Sequence, residues 1–147
     1  MDDFATVTLA GSGLTRRPWV REAKREADYL QRFDAATLWL DAVWTGREVR
    51  LICPRLNNLR RAVTRAEFAL DGRPVRARFK HYDRHCIVSL AAPAPGARVS
   101  VRIGDWQAEG PVSLPDPRFD GKNVLLTLSK NNDPGWIEDW ARFHVHH

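Results

Sequence analysis

The sequence predicts a mainly β fold: a small antiparallel β-sandwich with an N-terminal helix, followed by one strand and one C-terminal helix of a truncated α/β unit. Three observations carry this expectation. Between residues 36 and 114 short apolar runs recur at spacings of about ten residues with turn residues between them, the pattern of a sandwich. Arg17 to Phe33 and Trp136 to His144 switch to apolar residues three and four apart, the pattern of a helix. Val124 to Leu128 is a nearly continuous apolar run, as in a strand buried on both faces.

In chain order, residues 1–34 form a lead-in and helix. Ala5 to Leu9 suits one short strand. Arg17 to Phe33 has Pro18 near its start and an apolar stripe of Trp19, Ala23, Ala27, Leu30 and Phe33, which predicts a surface helix packed on the domain. Glu22, Glu26 and Asp28 on its polar side argue against a membrane-surface helix.

Residues 35–114 are the sandwich. Thr37 to Trp44 and Val49 to Cys53, joined at Gly46, predict two strands and a tight turn. Asn57 to Arg61 breaks the pattern as a polar loop. Arg65 to Leu70 meets Asp71-Gly72, a strong hairpin signal, and resumes as Pro74 to Phe79. His85 to Leu90 is the next strand, Pro93 to Gly96 a turn, and Ala97 to Ile103 alternates apolar residues with arginines. Residues 115–122, within a Pro- and Gly-rich stretch from Gly110 to Gly121, read as a linker.

Residues 123–147 are the strand and helix of the α/β unit. Asp133 suits the N-cap and Pro134 the first helical position, while Glu138 and Asp139 lie near the positive end of the helix dipole.

The chain has 147 residues, 44% of them hydrophobic and 28% charged, a globular composition. Its net charge of +5 arises from 23 Lys and Arg against 18 acidic residues, interleaved rather than blocked, which argues for a solvated surface over nucleic acid. No window approaches the roughly 20 apolar residues of a membrane span. The N-terminus has no signal-peptide pattern, so the cytoplasm is the expected compartment. Cys53 and Cys86 read either as two buried thiols on neighbouring strands or, in an oxidising compartment, as one disulfide.

Several groups could carry chemistry. His81, Asp83 and His85 surround an expected turn, and turn formation accounts for them better than a metal or acid–base site does. Arg60, Arg61 and Arg65 with Asn57 and Asn58 could meet phosphates, but that loop lacks the aromatics that would stack on bases. Trp39, Trp44 and Trp106 could offer an aromatic platform to a sugar. Trp39 and Trp44 differ by an odd number of residues, so a regular strand sends one to the core, leaving Trp44 and Trp106 as candidate carbohydrate-stacking residues.

The terminal stretch adds an ordered set of elements: Leu125-Leu126-Thr127-Leu128, then Lys130-Asn131 with Asp133, then Trp140-Ala141-Arg142-Phe143-His144. Over residues 123–147 the sequence resembles the start of glycosyltransferases of the A-type fold, family-92-like and family-2-like. In those proteins an apolar strand, a Lys-Asn-Glu-type turn and a helix with a Trp-x-x-(Tyr/Phe)-His pattern open the catalytic domain. The resemblance implies that Lys130, Asn131 and Asp133 are nucleotide-side residues and that the parent activity is sugar transfer from a nucleotide-sugar donor. It also implies Mg²⁺ or Mn²⁺ for a full-length parent, bound at an Asp-x-Asp motif that these residues do not contain. The expectation is therefore an N-terminal fragment without catalytic residues of its own. The alternative is a non-enzymatic sandwich module that binds carbohydrate or a protein partner.

Overall fold

The computed structural model describes residues 5–122 and 133–146. The chain divides into two compact units, Met1–Pro115 and Asp116–His147.

The first unit is built from β1 (Val7–Thr8), α1 (Tyr29–Arg32), β2 (Thr37–Trp39), β3 (Asp41–Trp44), β4 (Glu48–Pro54), α2 (Arg60–Thr64), β5 (Glu67–Leu70), β6 (Arg73–Val75), β7 (Ala77–His81), β8 (His85–Ala91), β9 (Arg98–Ile103) and β10 (Trp106–Pro111). One sheet has the order β3-β4-β8-β7 and the other β10-β9-β5-β6, while β1 and β2 form a separate pair. All of these pairings are antiparallel.

Period-two alternation explains the core. On β4 the buried side chains are Val49, Leu51 and Cys53, and their register partners on β8 are Leu90, Val88 and Cys86, all buried. The other sheet contributes Phe68 and Leu70 opposite Val101 and Val99. These rows join one hydrophobic cluster with Ala5, Val7, Leu9 and Trp39. Each Val or Leu so buried contributes about 1.5–3 kcal/mol relative to exposure. Trp39 is fully buried and donates its indole N–H to the Ala5 carbonyl at 2.7 Å, so its one polar atom is satisfied. Where β1 passes β10 the approach requires glycine: a Cβ on Gly110 would stand 2.9 Å from Val7 Cγ2.

Several local expectations change. The helix expected over Arg17 to Phe33 is reduced to a 3₁₀ turn at Glu22–Lys24 and the single α turn of α1. The stripe that predicted it is not covered: Trp19 and Leu30 are exposed, and a short helix with no buried face is marginal in water. The polar loop expected at Asn57 to Arg61 is instead a 3₁₀ turn (Asn57–Leu59) running into α2, with Leu56, Leu59 and Val63 buried. Their spacing of three and four is helical, hidden among arginines.

The run Pro74 to Phe79 is not one strand. β6 pairs with β5 in one sheet and β7 with β8 in the other, so the chain changes sheets at Arg76. Asp71-Gly72 makes the expected hairpin turn, with φ of +47° and +76°. β10 was not anticipated as a separate strand. It follows β9 through Gly104-Asp105, with Ile103 facing Trp106.

In the second unit, Asp116 accepts a hydrogen bond from the Arg118 amide at 2.9 Å and starts a 3₁₀ turn over Pro117–Phe119. The expected C-terminal helix is α3 (Pro134–His146), and Asp133 caps it by accepting from the Gly135 amide at 2.7 Å. Glu138 and Arg142 pair one turn apart. The strand expected at Val124 to Leu128 lies outside the described residues. Among the described residues no helix is long and apolar enough to cross a membrane.

Candidate functional site

A groove of about 360 Å³ opens at one end of the first unit. Three segments meet there: residues 17–19 of the lead-in, residues 55–60 after β4, and the tip of the β7–β8 hairpin. Loops gathered at a sandwich end commonly carry binding functions, because the sheets hold them in place.

A buried arginine anchors the lead-in. Arg16, only 3% exposed, donates to the Asp34 carbonyl at 2.7 Å and to the Thr37 carbonyl, and lies 3.7 Å from the Asp34 carboxylate. Burial lowers the pKa of this guanidinium, which nonetheless remains charged. Asp34 in turn accepts from the Ala36 and Thr37 amides at 3.0 and 2.9 Å. Burial would raise its pKa; those amides, with the Arg16 charge, outweigh it and hold the carboxyl below its usual range.

Two asparagines clip the next residues in place. Asn58 accepts from the Arg17 amide at 2.7 Å and donates to the Thr15 carbonyl at 3.0 Å, while Asn57 donates to the Arg17 carbonyl at 2.8 Å. Asn57 adopts φ +50°, a left-handed conformation that asparagine tolerates better than most residues. Asn57 and Asn58 therefore position the groove through backbone atoms.

The aromatic surface comes from Trp19 and Tyr82. The Arg55 guanidinium lies over the Trp19 ring, 4.8 Å from its centroid, and donates to the Asp83 carbonyl at 3.1 Å. Trp19 is still 59% exposed, so indole surface beyond that contact remains accessible. Tyr82 stacks on His85 with centroids 4.4 Å apart, and the hairpin closes through the Tyr82 amide and the His85 carbonyl at 2.9 Å.

The charge is one-sided. Arg17, Arg55, Arg60, His81 and His85 line the groove and no carboxylate does. Asp83 lies beside it, 3.6 Å from Arg55. Among the described residues neither Arg17 nor Arg60 has an ion-pair partner. His81 is held below its ordinary pKa by burial and then by the Arg60 charge, which keeps it neutral near pH 7.

The structure separates the residues first considered for sugar stacking. Trp44 ends β3 in one sheet and Trp106 begins β10 in the other; both are half-buried against the core. The Trp106 indole N–H is bound to the Ala10 carbonyl at 2.9 Å. Of the pair Trp39 and Trp44, Trp39 is the core residue that the spacing predicts, but Trp44 also packs against the core because the chain bulges at Leu40. Its amide donates to the Ile52 carbonyl at 2.7 Å although Asp41 is the register partner of Ile52. Of the residues that the resemblance places beside a nucleotide, Lys130 and Asn131 lie outside the described residues, and Asp133 is the cap of α3.

Cys53 and Cys86 face each other across β4 and β8 as free, buried thiols. Burial drives both pKa values up, Cys86 to about 11, so neither is a ready nucleophile. Among the described residues no three His, Cys, Asp or Glu stand together as metal ligands.

In the sequence Asn57, Asn58 and Arg60 fall in one loop and His81 and His85 in another, Trp19 falls in an expected helix stripe, and nothing in the linear order joins these segments to Arg55 and Tyr82. No family model, curated protein or solved structure matches this chain.

Proposed function

We propose that the first unit is a glycan-binding module whose ligand lies in the groove of Trp19, Arg55, Asn57, Asn58, Arg60 and Tyr82. The observation that carries this reading is one concave surface that combines the accessible indole of Trp19 with arginine donors; Tyr82 lines it as a ring already in contact with His85 and the Lys80 ammonium. Sugars are recognised in this way: their C–H faces stack on aromatic rings while their hydroxyls meet guanidinium groups, and Asn57 and Asn58 hold the groove wall in place. The resemblance of residues 123–147 to glycosyltransferases accords with a module that presents a glycan to an enzyme of that type. In that proposal the nucleotide-sugar and its Mg²⁺ or Mn²⁺ belong to the catalytic part, and no catalytic step is assigned to the described residues.

Glycan-array screening of the purified chain, followed by calorimetry, tests the module. We expect saturable binding to at least one glycan class, weakened at least tenfold in Trp19→Ala with an unchanged melting temperature. Trp19→Ala binding as tightly as the parent would remove the groove from the proposal. A nucleotide-sugar hydrolysis assay with Mg²⁺ or Mn²⁺ should show no turnover by these 147 residues, and metal-dependent turnover would contradict the assignment of chemistry to another part.

A further inference from the structure

We infer that the ligand of the groove is an anionic glycan, its carboxylate or sulfate held between Arg60 and Arg17. This rests on the glycan-binding reading and adds the charge of the ligand to it.

The argument is one of unmatched cations. Three arginines line the groove without a lining carboxylate, and Arg55 is already occupied by Asp83 and the face of Trp19. Arg17 and Arg60 both line the groove and are left without ion-pair partners among the described residues, and the Asn57-Asn58 turn fixes the Arg17 backbone. Where the sheets supply a carboxylate, arginines pair with it, Arg50 and Arg78 on Glu48, Arg98 on Glu109 and Arg102 on Glu67, whereas Arg47, Arg61, Arg65, Arg73, Arg76 and Arg84 have no ion-pair partner among the described residues either; what sets Arg17 and Arg60 apart is their place in a groove beside aromatic rings. A guanidinium offers two parallel N–H donors that fit a carboxylate or sulfate.

The ring faces separate this ligand from a bare anion. The exposed indole of Trp19 lies in the same groove as the two arginines, so a sugar ring can stack on it while its acidic substituent reaches a guanidinium. A uronic acid and a sulfated sugar supply the same chemistry, and the experiment distinguishes them.

Calorimetry on the intact chain would use two matched pairs: an oligogalacturonate hexamer with its methyl-esterified form, and a sulfated galactan tetramer with its desulfated form. The expected result is at least tenfold tighter binding of the acidic member of one pair, which identifies the anion. Arg60→Gln should reduce that preference to less than threefold while melting with the parent, and Arg60→Lys should fall between. Arg78→Gln, at the opposite end of the sheet, should leave it unchanged. Equal binding of acidic and neutral members would overturn this inference and leave the glycan-binding reading intact. Absence of binding to either member of both pairs would count against both. Equally tight binding of a 20-base-pair DNA duplex, with steep salt dependence, would mark a general polyanion surface and overturn the preference for a glycan.

Discussion

The two ends of the β4–β8 ladder treat arginine differently. At the end where Glu48 faces Ala91, Arg50 and Arg78 converge on Glu48 at 2.8 and 2.6 Å, and Ser89 donates to the same carboxylate at 3.1 Å. At the end where Pro54 faces His85, Arg17 and Arg60 stand in a groove with aromatic rings and no lining carboxylate. The residue type is the same at both ends. What differs is whether the sheet itself supplies the anion, and the inference of an anionic ligand concerns the end that does not.

Breaking the scaffold beneath the groove should have the largest effect. Arg16→Ala leaves the Asp34 and Thr37 carbonyls without their buried donor, and we expect a loss of about 3 kcal/mol in urea denaturation together with loss of ligand binding. An unchanged midpoint would show that the lead-in is held by something other than this anchor.

Loosening the groove without touching the core should matter less. Asn58→Ala removes two hydrogen bonds to the lead-in at an exposed site, with an expected cost of about 1 kcal/mol and faster hydrogen exchange at the Arg17 amide. If Arg17 exchange stays slow, the clip is not what orders this wall.

At the matched end the effect should be smallest and pH-dependent. The Arg50 hydrogen bond, aided by Ser89 and Arg78, holds the Glu48 carboxyl below its usual range despite partial burial. A carboxyl with a depressed folded-state pKa contributes stability above its unfolded value near 4.3 and loses it as pH falls through the folded value. Both arginines are more than half exposed, so Glu48→Gln should cost less than about 1 kcal/mol at pH 7. Thermal melts of parent and variant should converge as pH falls through the depressed folded value. A gap that persists at low pH would mean that Glu48 acts through shape rather than charge.

The strands of the sheets were legible because alternation is local. Val49, Leu51 and Cys53, or Val99 and Val101, state their buried face within five residues. Asp71-Gly72 specified its turn because few residue pairs accept two positive φ angles. Asp133-Pro134 marked the start of α3 through a cap made within two residues. The lead-in misled because Trp19 and Leu30 have helical spacing but nothing covers them, and spacing says which residues share a face without saying whether that face is buried.

The sequence alone determined the mainly β composition, most strand positions, the C-terminal helix and the excess of arginine. Only the tertiary structure decided where the chain changes sheets at Arg76, which arginines meet a carboxylate, and that Trp19, Arg55, Asn57 and Tyr82 share one groove. The reason is range. Alternation and caps act over a few residues, whereas the groove exists because Arg16 reaches across to Asp34 and Thr37 and Asn58 reaches back to Thr15 and Arg17. Such separations leave no periodic trace in the order of residues.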